Sequence, residues 1–535
     1  MKIKYYLNGA MKKTEITNED LEITSSFIDH HFIAKVKVKN EVTFYNARHQ
    51  LKFHVNFKDL YFLNGYQSWT DTKEFKLAKR LRNIKKSPHI ITHMFGLDKY
   101  GDSKFYRYSI RKSHGYDVFY SKGKYESFIY NVNGKTAYLL IELMKDQRNI
   151  HLTSDIYGKN CKPGEEVVIF DFYFYENFEE GLASFNAYYE EIKNTPKVFG
   201  YTSWYNYYQN INEEIILRDL DALDSRFNVF QIDDGYETYV GDWLNIDKAK
   251  FPNGLEPIID KIHNKGYKAG IWLAPFVAET NSQIFKEHFD WIKKDESGKP
   301  VLAGGNWSKF YALDLENNEV LDYIHKFLNY YIDLGFDFFK LDFLYASGIV
   351  PFNGKTRCET QEYAYSLLRN ILKDKLILGC GAHILNSYQK FDYLRVGPDV
   401  SLVFDDVAFM RVFHRERIST KITLQNTIYR SIFNKHLFYN DPDVFLLRDN
   451  NIKLSFNQRV ALTKINALFS GLLMTSDDIK DYDEKKNEVL EEAFELFYKA
   501  KVLSYETIGK YVRIVYELNG EKKEIKYNTK KGVII

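Results

Sequence analysis

Two kinds of hydrophobic pattern divide the chain. Over residues 1–187, apolar and polar residues alternate in short segments such as 32–38 and 166–174, and turn sequences such as Asn133-Gly134 separate these segments. Alternation with a period of two is typical of strands that bury one face. Residues 1–187 are therefore predicted to form an N-terminal antiparallel β-sandwich domain.

From residue 188 onward, short apolar runs alternate with amphipathic helical segments. Eight of these runs are predicted to be strands, over 198–204, 229–233, 269–274, 338–342, 376–380, 394–397, 437–440 and 472–475. Eight parallel strands with intervening helices most simply close into a (β/α)8 TIM barrel, which is predicted for residues 188–487. Residues 488–535 are predicted to form a last helix and a small C-terminal β-domain. The predicted fold class is multidomain α/β plus β.

The predicted strand 338–342 carries two charges, Lys340 and Asp342, inside an apolar run. Alternate side chains of a strand share a face, so these two residues are expected to point the same way. Charges on the inner face of a buried strand are costly unless they meet partners or take part in chemistry. A structural ion pair and a catalytic role both fit this pair taken alone.

Polar and aromatic residues gather where most of the predicted strands end. They include Trp204, Asp233, Asp234, Trp272, Lys340, Asp342, Cys380, Arg395 and Asp399. Barrel enzymes carry their chemistry at this end of the strands. Carboxylates, tryptophans, one lysine and one arginine around one opening favour a pocket for a neutral, polyhydroxylated ligand. Two carboxylates on opposite sides of such a pocket could cleave a glycosidic bond.

Composition and charge restrict the partners and the compartment. The chain has 535 residues, and its 74 Lys plus Arg nearly balance its 72 Asp plus Glu, so no strong field favours nucleic acid or a membrane surface. Its three cysteines are far apart and odd in number, which does not describe a disulfide framework. With no apolar segment of signal-peptide or membrane-span length, a cytoplasmic location is predicted.

At this point a set of motifs becomes recognisable. They are Gln67-Ser68-Trp69, Gln231-Ile232-Asp233-Asp234, Gly241-Asp242-Trp243, Gly270-Ile271-Trp272-Leu273-Ala274-Pro275, Lys340-Leu341-Asp342-Phe343, Gly379-Cys380-Gly381, Arg395-Val396-Gly397-Pro398-Asp399 and Asn440-Asp441-Pro442-Asp443. In this order they closely resemble the α-galactosidases (melibiases) of glycoside hydrolase family 36, and most of all their compact bacterial and archaeal branch.

The resemblance implies a retaining, exo-acting α-galactosidase. Asp342 would be the nucleophile that forms a β-galactosyl ester, and Asp399 would be the acid/base. Retention requires the two carboxyl groups to lie roughly 5 to 5.5 Å apart. The implied substrates are terminal α-galactosides of oligosaccharides of the melibiose and raffinose type, and neither a cofactor nor a metal is expected.

The resemblance also implies a set of sugar-binding residues: Asp233, Asp234, Trp272, Lys340, Cys380, Arg395, Trp69 and Trp204. Lys340 would in addition keep Asp342 ionised. Trp69 would reach the pocket from the N-terminal domain. The longer-chain branch of the family has a Ser-Trp-Asp-Met-Asn-Arg nucleophile motif, which this chain lacks, so a monomer or small homo-oligomer is expected. His383 departs from compact relatives, and a structural histidine is favoured there over an altered subsite.

Three other functions are weighed against this one. The same site could act as an α-N-acetylgalactosaminidase or favour galactosyl transfer, although the Cys380 side chain opposes an acetamido group. A catalytically silent barrel could instead bind oligosaccharides. A metal-dependent hydrolase is disfavoured because the chain has no His-x-His or His-Glu-x-x-His spacing.

Overall fold

The N-terminal part of the chain forms two antiparallel sheets. The computed structural model describes residues 1–77, 96–102, 112–144, 149–405 and 415–535. Within these residues, one sheet contains Lys2–Leu7, Ala10–Thr14, Val42–Lys52, Lys112–Tyr116, Leu139–Met144, Asn149–Ser154 and Asn160–Cys161. The other contains Leu21–Ile28, His31–Val38, Leu60–Leu63, Glu74–Phe75, Val118–Lys122, Ser127–Asn131 and Glu166–Tyr175.

The two sheets share an apolar core, as alternation predicts. In the strand His31–Val38, the side chains of Phe32, Ala34, Val36 and Val38 are buried, whereas the intervening positions reach solvent at least in part. The buried set packs in one hydrophobic cluster with residues of the first sheet such as Phe44. The predicted β-sandwich is therefore present.

A parallel sheet follows. Among the described residues its strands are Val198–Thr202, Val229–Ile232, Lys268–Leu273, Phe338–Leu341, Leu376–Gly379, Tyr393–Arg395, Tyr439–Asp441, Val444–Phe445 and Leu472–Thr475. Consecutive strands pair in parallel, except that Tyr439–Asp441 and Val444–Phe445 do not pair with each other, and the last strand pairs with the first. We number the barrel strands one to eight in chain order.

Barrel strand seven is split in two. Its first half, Tyr439–Asp441, pairs with strand six, and its second half, Val444–Phe445, pairs with strand eight. The two residues between them, Pro442 and Asp443, carry the chain from one neighbour to the other, and Asp443 has a φ of 76°. The predicted strand 437–440 is thus found as two short strands, 439–441 and 444–445, and the break between them contains Pro442, which has no N–H to donate to a continuous ladder.

Helices cover the barrel and join its strands. In the described part of the chain the α-helices are Phe178–Tyr188, Trp204–Tyr207, Glu213–Ala222, Glu256–Asn264, Gln283–Glu287, Asn318–Asp333, Arg357–Leu372, Thr420–Tyr429, Phe456–Phe469 and Glu484–Lys499. The helix Glu256–Asn264 has Pro257 in its first turn and buries Ile258, Ile259 and Ile262, as the spacing predicts. Strands five and six are joined by a 3-10 turn, Leu385–Ser387.

Two smaller sheets complete the described structure. Val277–Glu279, Leu302–Gly304 and Phe310–Ala312 form an antiparallel insertion after strand three. Lys501–Ile508, Tyr511–Leu518, Glu521–Asn528 and Val533–Ile534 form the C-terminal sheet. The last helix begins at Glu484, four residues before the predicted residue 488, and ends at Lys499. The domain limits 187/188 and 487/488 stay a prediction.

Candidate active site

Asp342 lies one residue beyond barrel strand four, Phe338–Leu341. Its backbone N–H donates to the Leu273 carbonyl at 2.8 Å, so the neighbouring strand holds it in place. The following residue, Phe343, has a φ of 54°, a left-handed conformation that is uncommon outside glycine. A strained residue beside a carboxylate at the carboxyl end of a barrel strand is a frequent mark of a functional site.

The Asp342 carboxylate is held by two donors. The Trp272 indole N–H donates to Oδ2 at 3.0 Å, and the Phe343 backbone N–H donates to Oδ1 at 2.8 Å. Burial raises the pKa of Asp342, the charge of Lys340 opposes that rise, and the charge of Asp399 adds to it. The charge of Lys340 lowers the pKa of Asp342, as expected, but burial raises that pKa by more.

Lys340 has its ion pair with Asp233 on strand two. The Lys340 Nζ lies 2.8 Å from Asp233 Oδ2, and both side chains are buried. Gln231 and Thr202 also donate to that carboxylate oxygen, at 2.6 and 3.1 Å. Although burial lowers the pKa of Lys340, the charge of Asp233 brings it above its ordinary value. Asp233 Oδ2 thus accepts three hydrogen bonds, one of them from the Lys340 ammonium.

Asp234, next in the chain, points to a separate group of partners. Its carboxylate accepts hydrogen bonds from Gln209 Nε2 at 3.1 Å and from the Trp307 indole N–H at 3.0 Å. Burial raises the pKa of Asp234, and a hydrogen bond from the Glu237 carboxyl opposes that rise. Neither Gln209 nor Glu237 stands out in the sequence, because each lies outside a strand end.

Arg395 on strand six is surrounded by carboxylates. Its Nη1 donates to Asp399 Oδ1 at 2.8 Å, its Nε donates to Asp441 Oδ2 at 2.7 Å, and its Nη2 lies 2.9 Å from Asp443 Oδ1. Arg395 is buried, whereas the Asp399 side chain is 38% exposed. The Arg395 guanidinium thus orients Asp399 from the buried side, while the Asp399 carboxyl group is partly exposed to solvent.

A cavity of about 600 Å³ opens above these groups. It is lined by Trp69, Tyr100, Trp204, Tyr205, Tyr208, Asn306, Asp342, Phe343, Pro398, Asp399, Val400, Ser401, Leu402, Glu416, Arg417 and Ile418. Four of the ten residues predicted from the sequence are among them. Asp233, Asp234, Trp272, Lys340, Cys380 and Arg395 do not line this cavity; they lie buried behind it, and Trp272 and Arg395 contact Asp342 and Asp399 directly.

Trp69 reaches the cavity from the N-terminal domain, and Arg430 fastens its loop. The buried Arg430 guanidinium donates to the Gln67 carbonyl at 3.1 Å and to Asn64 Oδ1 at 3.1 Å, and it also contacts the Ser68 carbonyl. A further bond of 2.9 Å ties it to the Val396 carbonyl on the barrel. Burial lowers the pKa of Arg430 to about 9, so the side chain is still charged at neutral pH.

The segment that follows strand five, Leu376–Gly379, supplies another contact of the Trp69 loop. The Gly381 N–H donates to Ser68 Oγ at 2.8 Å, and Gly381 has a φ of 67°. A Cβ atom at Gly381 would lie 3.1 Å from the Tyr345 ring and 3.2 Å from the Trp69 ring. Glycine is therefore required here both by the backbone and by the close approach of Trp69. Cys380, one residue earlier, is a buried free thiol whose pKa burial raises well above its ordinary value.

His383 does not line the cavity. It is fully buried between the barrel and the N-terminal sheets, with its ring stacked on Tyr138 at 3.7 Å and its Nε2 3.1 Å from Asp117 Oδ2. Burial lowers the pKa of His383 and the Asp117 charge opposes that shift. This placement favours the structural reading of His383.

Comparisons with known proteins agree with the motifs. Residues 190–372 match the Melibiase family model. An α-galactosidase of Escherichia coli is 28% identical over 182 residues, which are 32% of this chain and 25% of that protein. An A type blood α-D-galactosamine galactosaminidase of Flavonifractor plautii is 30% identical over 146 residues, which are 25% of this chain and 13% of that protein. The aligned stretches thus span a quarter or less of either relative.

The fold extends further than the sequence similarity. The structure of the Thermus thermophilus α-galactosidase TtGalA in complex with p-nitrophenyl α-D-galactopyranoside superposes with a TM-score of 0.72. It is 24% identical and covers 98% of this chain and 98% of its own. Together these comparisons confirm the resemblance to family 36 and the predicted fold class.

Proposed function

We propose that this chain, whose residues 190–372 match the Melibiase family model, is a retaining, exo-acting α-galactosidase of short oligosaccharides. One observation carries the proposal: Asp342 and Asp399, from the ends of strands four and six, line the same cavity. Each oxygen of Asp342 accepts one of these hydrogen bonds, and Asp399 accepts one from Arg395 at Oδ1, so both carboxylates keep lone pairs for a ligand. Two carboxylates on one cavity are what a double displacement needs.

In the first step, Asp342 attacks the anomeric carbon of the galactosyl group. A bond forms between its carboxylate oxygen and that carbon, the glycosidic bond breaks, and Asp399 gives a proton to the departing oxygen. In the second step, Asp399 takes a proton from water. The water oxygen then bonds to the anomeric carbon, and the ester bond to Asp342 breaks. Two inversions retain the α configuration.

The surrounding residues orient the nucleophile and the sugar. Trp272 and the Phe343 N–H fix both oxygens of Asp342 toward the strand ends. Asp233 and Asp234 are carboxylates that could accept bonds from galactose hydroxyls if the sugar reaches the layer behind the cavity. Trp69 and Trp204 lie on the cavity wall, where indole rings could cover the apolar face of a sugar.

We propose further that the substrates are short oligosaccharides of the melibiose and raffinose type, taken up into the cytoplasm. Three free, buried cysteines support a reducing compartment. Among the residues described, none of the helices has the length and apolar character needed to cross a bilayer. The proposed assembly is a monomer or small homo-oligomer.

The test is the anomer released first. We expect NMR to detect α-galactose before mutarotation when the wild-type protein hydrolyses 4-nitrophenyl α-galactoside or melibiose. If β-galactose is released first, the enzyme is inverting and the double displacement is wrong. If neither substrate is hydrolysed, the galactosidase proposal itself is wrong.

The second candidate is an α-N-acetylgalactosaminidase, favoured by the similarity to the Flavonifractor plautii galactosaminidase. The same assay with 4-nitrophenyl N-acetyl-α-galactosaminide separates the two. We expect the galactoside to react faster, because the buried Cys380 offers neither space nor a strong donor for an acetamido group. A higher kcat/KM for the N-acetylated substrate would replace the first proposal by the second.

A substitution at Gly381 tests the contribution of the Trp69 wall. We expect Gly381→Ala to raise KM for 4-nitrophenyl α-galactoside roughly tenfold, equivalent to about 1.4 kcal/mol of binding, because its Cβ displaces the Trp69 ring. The matched control is Gly509→Ala. Gly509 has nearly the same φ, 64°, and nothing within 4 Å of the added atom. If both variants change KM equally, backbone strain explains the effect and Trp69 does not.

A further inference from the structure

Asp443 is a buried carboxyl group that the proposed reaction does not use. It lies in the break of barrel strand seven and is 1% exposed. Its Oδ1 lies 2.9 Å from Arg395 Nη2, while another nitrogen of the same guanidinium donates to Asp399. Asp443 and Asp399 therefore share one cation.

A second contact joins Asp443 to the neighbourhood of Asp399. The Val400 backbone N–H donates to Asp443 Oδ2 at 2.7 Å, and Val400 directly follows Asp399. The Tyr205 hydroxyl donates to the same oxygen, and Tyr205 lines the cavity together with Asp399. Asp443 thus contacts both the cation that holds the Asp399 side chain and the backbone that carries it.

The charges around Arg395 do not balance. Asp399, Asp441 and Asp443 face a single guanidinium, and Asp441 is held close to Asp443 because it accepts the Asp443 N–H at 2.7 Å. Burial raises the pKa of Asp443, Arg395 opposes the rise, and the charges of Asp399 and Asp441 add to it, which brings the pKa to about 7. The hydrogen bond from the Tyr205 hydroxyl lowers the pKa of Asp443.

We propose that Asp443 is a positioning residue that orients Asp399 through Arg395 and Val400. When Asp443 gains or loses a proton, the charge around Asp399 changes. Below about pH 7 Asp443 is protonated, and the Arg395 charge is shared by Asp399 and Asp441. Above that pH a third negative charge competes for Arg395 and repels Asp399. The inference rests on the proposed role of Asp399 as acid/base.

The experiment compares two substrates that differ in their need for an acid. Nitrophenolate leaves with little help, whereas the sugar released from melibiose needs a proton in the first step. Asp443→Asn cannot gain the third negative charge, whose repulsion favours a proton on Asp399. At pH 8 we therefore expect this variant to lower kcat/KM at least about tenfold more for melibiose than for 4-nitrophenyl α-galactoside, as Asp399→Ala should do more strongly. In the pH profile of kcat/KM, we expect wild type to have an inflection near pH 7 and Asp443→Asn to lack it.

Asp219→Asn is the matched control. Asp219 is also fully buried, accepts from the Tyr201 hydroxyl and pairs with Arg218, but it lies on the outer helix Glu213–Ala222. We expect this variant to keep the wild-type ratio between the two substrates and the wild-type pH profile.

The outcomes separate this inference from the proposed function. If Asp399→Ala is selective for the activated substrate and Asp443→Asn slows both substrates equally, Asp443 is structural only and the inference is wrong. If wild type hydrolyses neither substrate, the proposed function is wrong, and the inference, which rests on it, is wrong as well. Should Asp443→Asn not fold, Tyr205→Phe removes the donor that favours ionised Asp443. The inflection should then move to higher pH, and an unmoved inflection overturns the inference.

Discussion

Asp342→Gly is expected to lose at least about 1,000-fold in kcat toward 4-nitrophenyl α-galactoside, because it removes the atom that bonds to the anomeric carbon. The Trp272 indole and the Phe343 N–H, which hold the carboxylate in wild type, then point into an empty space. Because Asp342 lies after the paired residues of strand four, the substitution leaves the hydrogen bonds between the strands intact.

Azide turns this loss into evidence for the role of Asp342. A small anion can occupy the space of the missing carboxylate and attack the same face of the sugar. We therefore expect azide to restore part of the activity and to yield β-galactosyl azide, identified by NMR. An α-galactosyl azide, or no rescue together with a folded protein, would remove Asp342 from the nucleophile role.

The control for Asp342→Gly lies at the other end of strand four, Phe338–Leu341. Asp337 precedes strand four, at the opposite end of the barrel, where it contacts His263 at 2.9 Å. Catalytic residues are not expected at that end of a barrel. Asp337→Gly should keep kcat within a few-fold of wild type and gain nothing from azide. A loss as large as that of Asp342→Gly would show that backbone damage, and not chemistry, explains both.

The second large effect is expected at the buried pair of Lys340 and Asp233. Asp233→Asn leaves the Lys340 ammonium without its carboxylate at 2.8 Å, in a place where it is 5% exposed. Breaking one side of a buried ion pair typically costs about 3 to 5 kcal/mol. We expect the melting temperature in thermal unfolding to fall by several degrees, and galactosidase activity to be lost as well.

A double variant separates the charge from the shape. Asp233→Asn with Lys340→Met has no stranded charge, so it should recover part of the melting temperature while its activity stays low. If the double variant is less stable than Asp233→Asn alone, the cost comes from lost packing and hydrogen bonds to Gln231 and Thr202. Activity near wild type in either variant would remove the pair from the binding site.

Much of the fold could be predicted because its signals are local. Apolar runs four to six residues long, separated by amphipathic helices with glycine at their ends, are sufficient to predict strands such as Phe338–Leu341. Parallel strands bring their carboxyl ends to one edge. Polar residues that follow different strands, such as Asp233, Asp342 and Asp399, were therefore expected near one another before any contact was known.

The partners of these residues could not be predicted in the same way. The sequence places Lys340 on one face with Asp342, yet its ion pair is with Asp233, which is 107 positions away. The split of strand seven depends on Pro442 and on which neighbours each half meets. Arg430 is one arginine at the end of a helix, and nothing around it in the sequence indicates that it holds the Trp69 loop.

Periodicity and short motifs are properties of neighbouring residues, and they were sufficient to predict the class of fold, the resemblance to the melibiases and the residue types at the strand ends. Which side chains line the cavity, which lie behind it, and the sharing of Arg395 by Asp443 and Asp399 follow only from the folded structure. Hydrogen bonds, burial and pKa shifts depend on groups brought together from distant parts of the chain. Their geometry is set by the packing of the barrel against the N-terminal sheets.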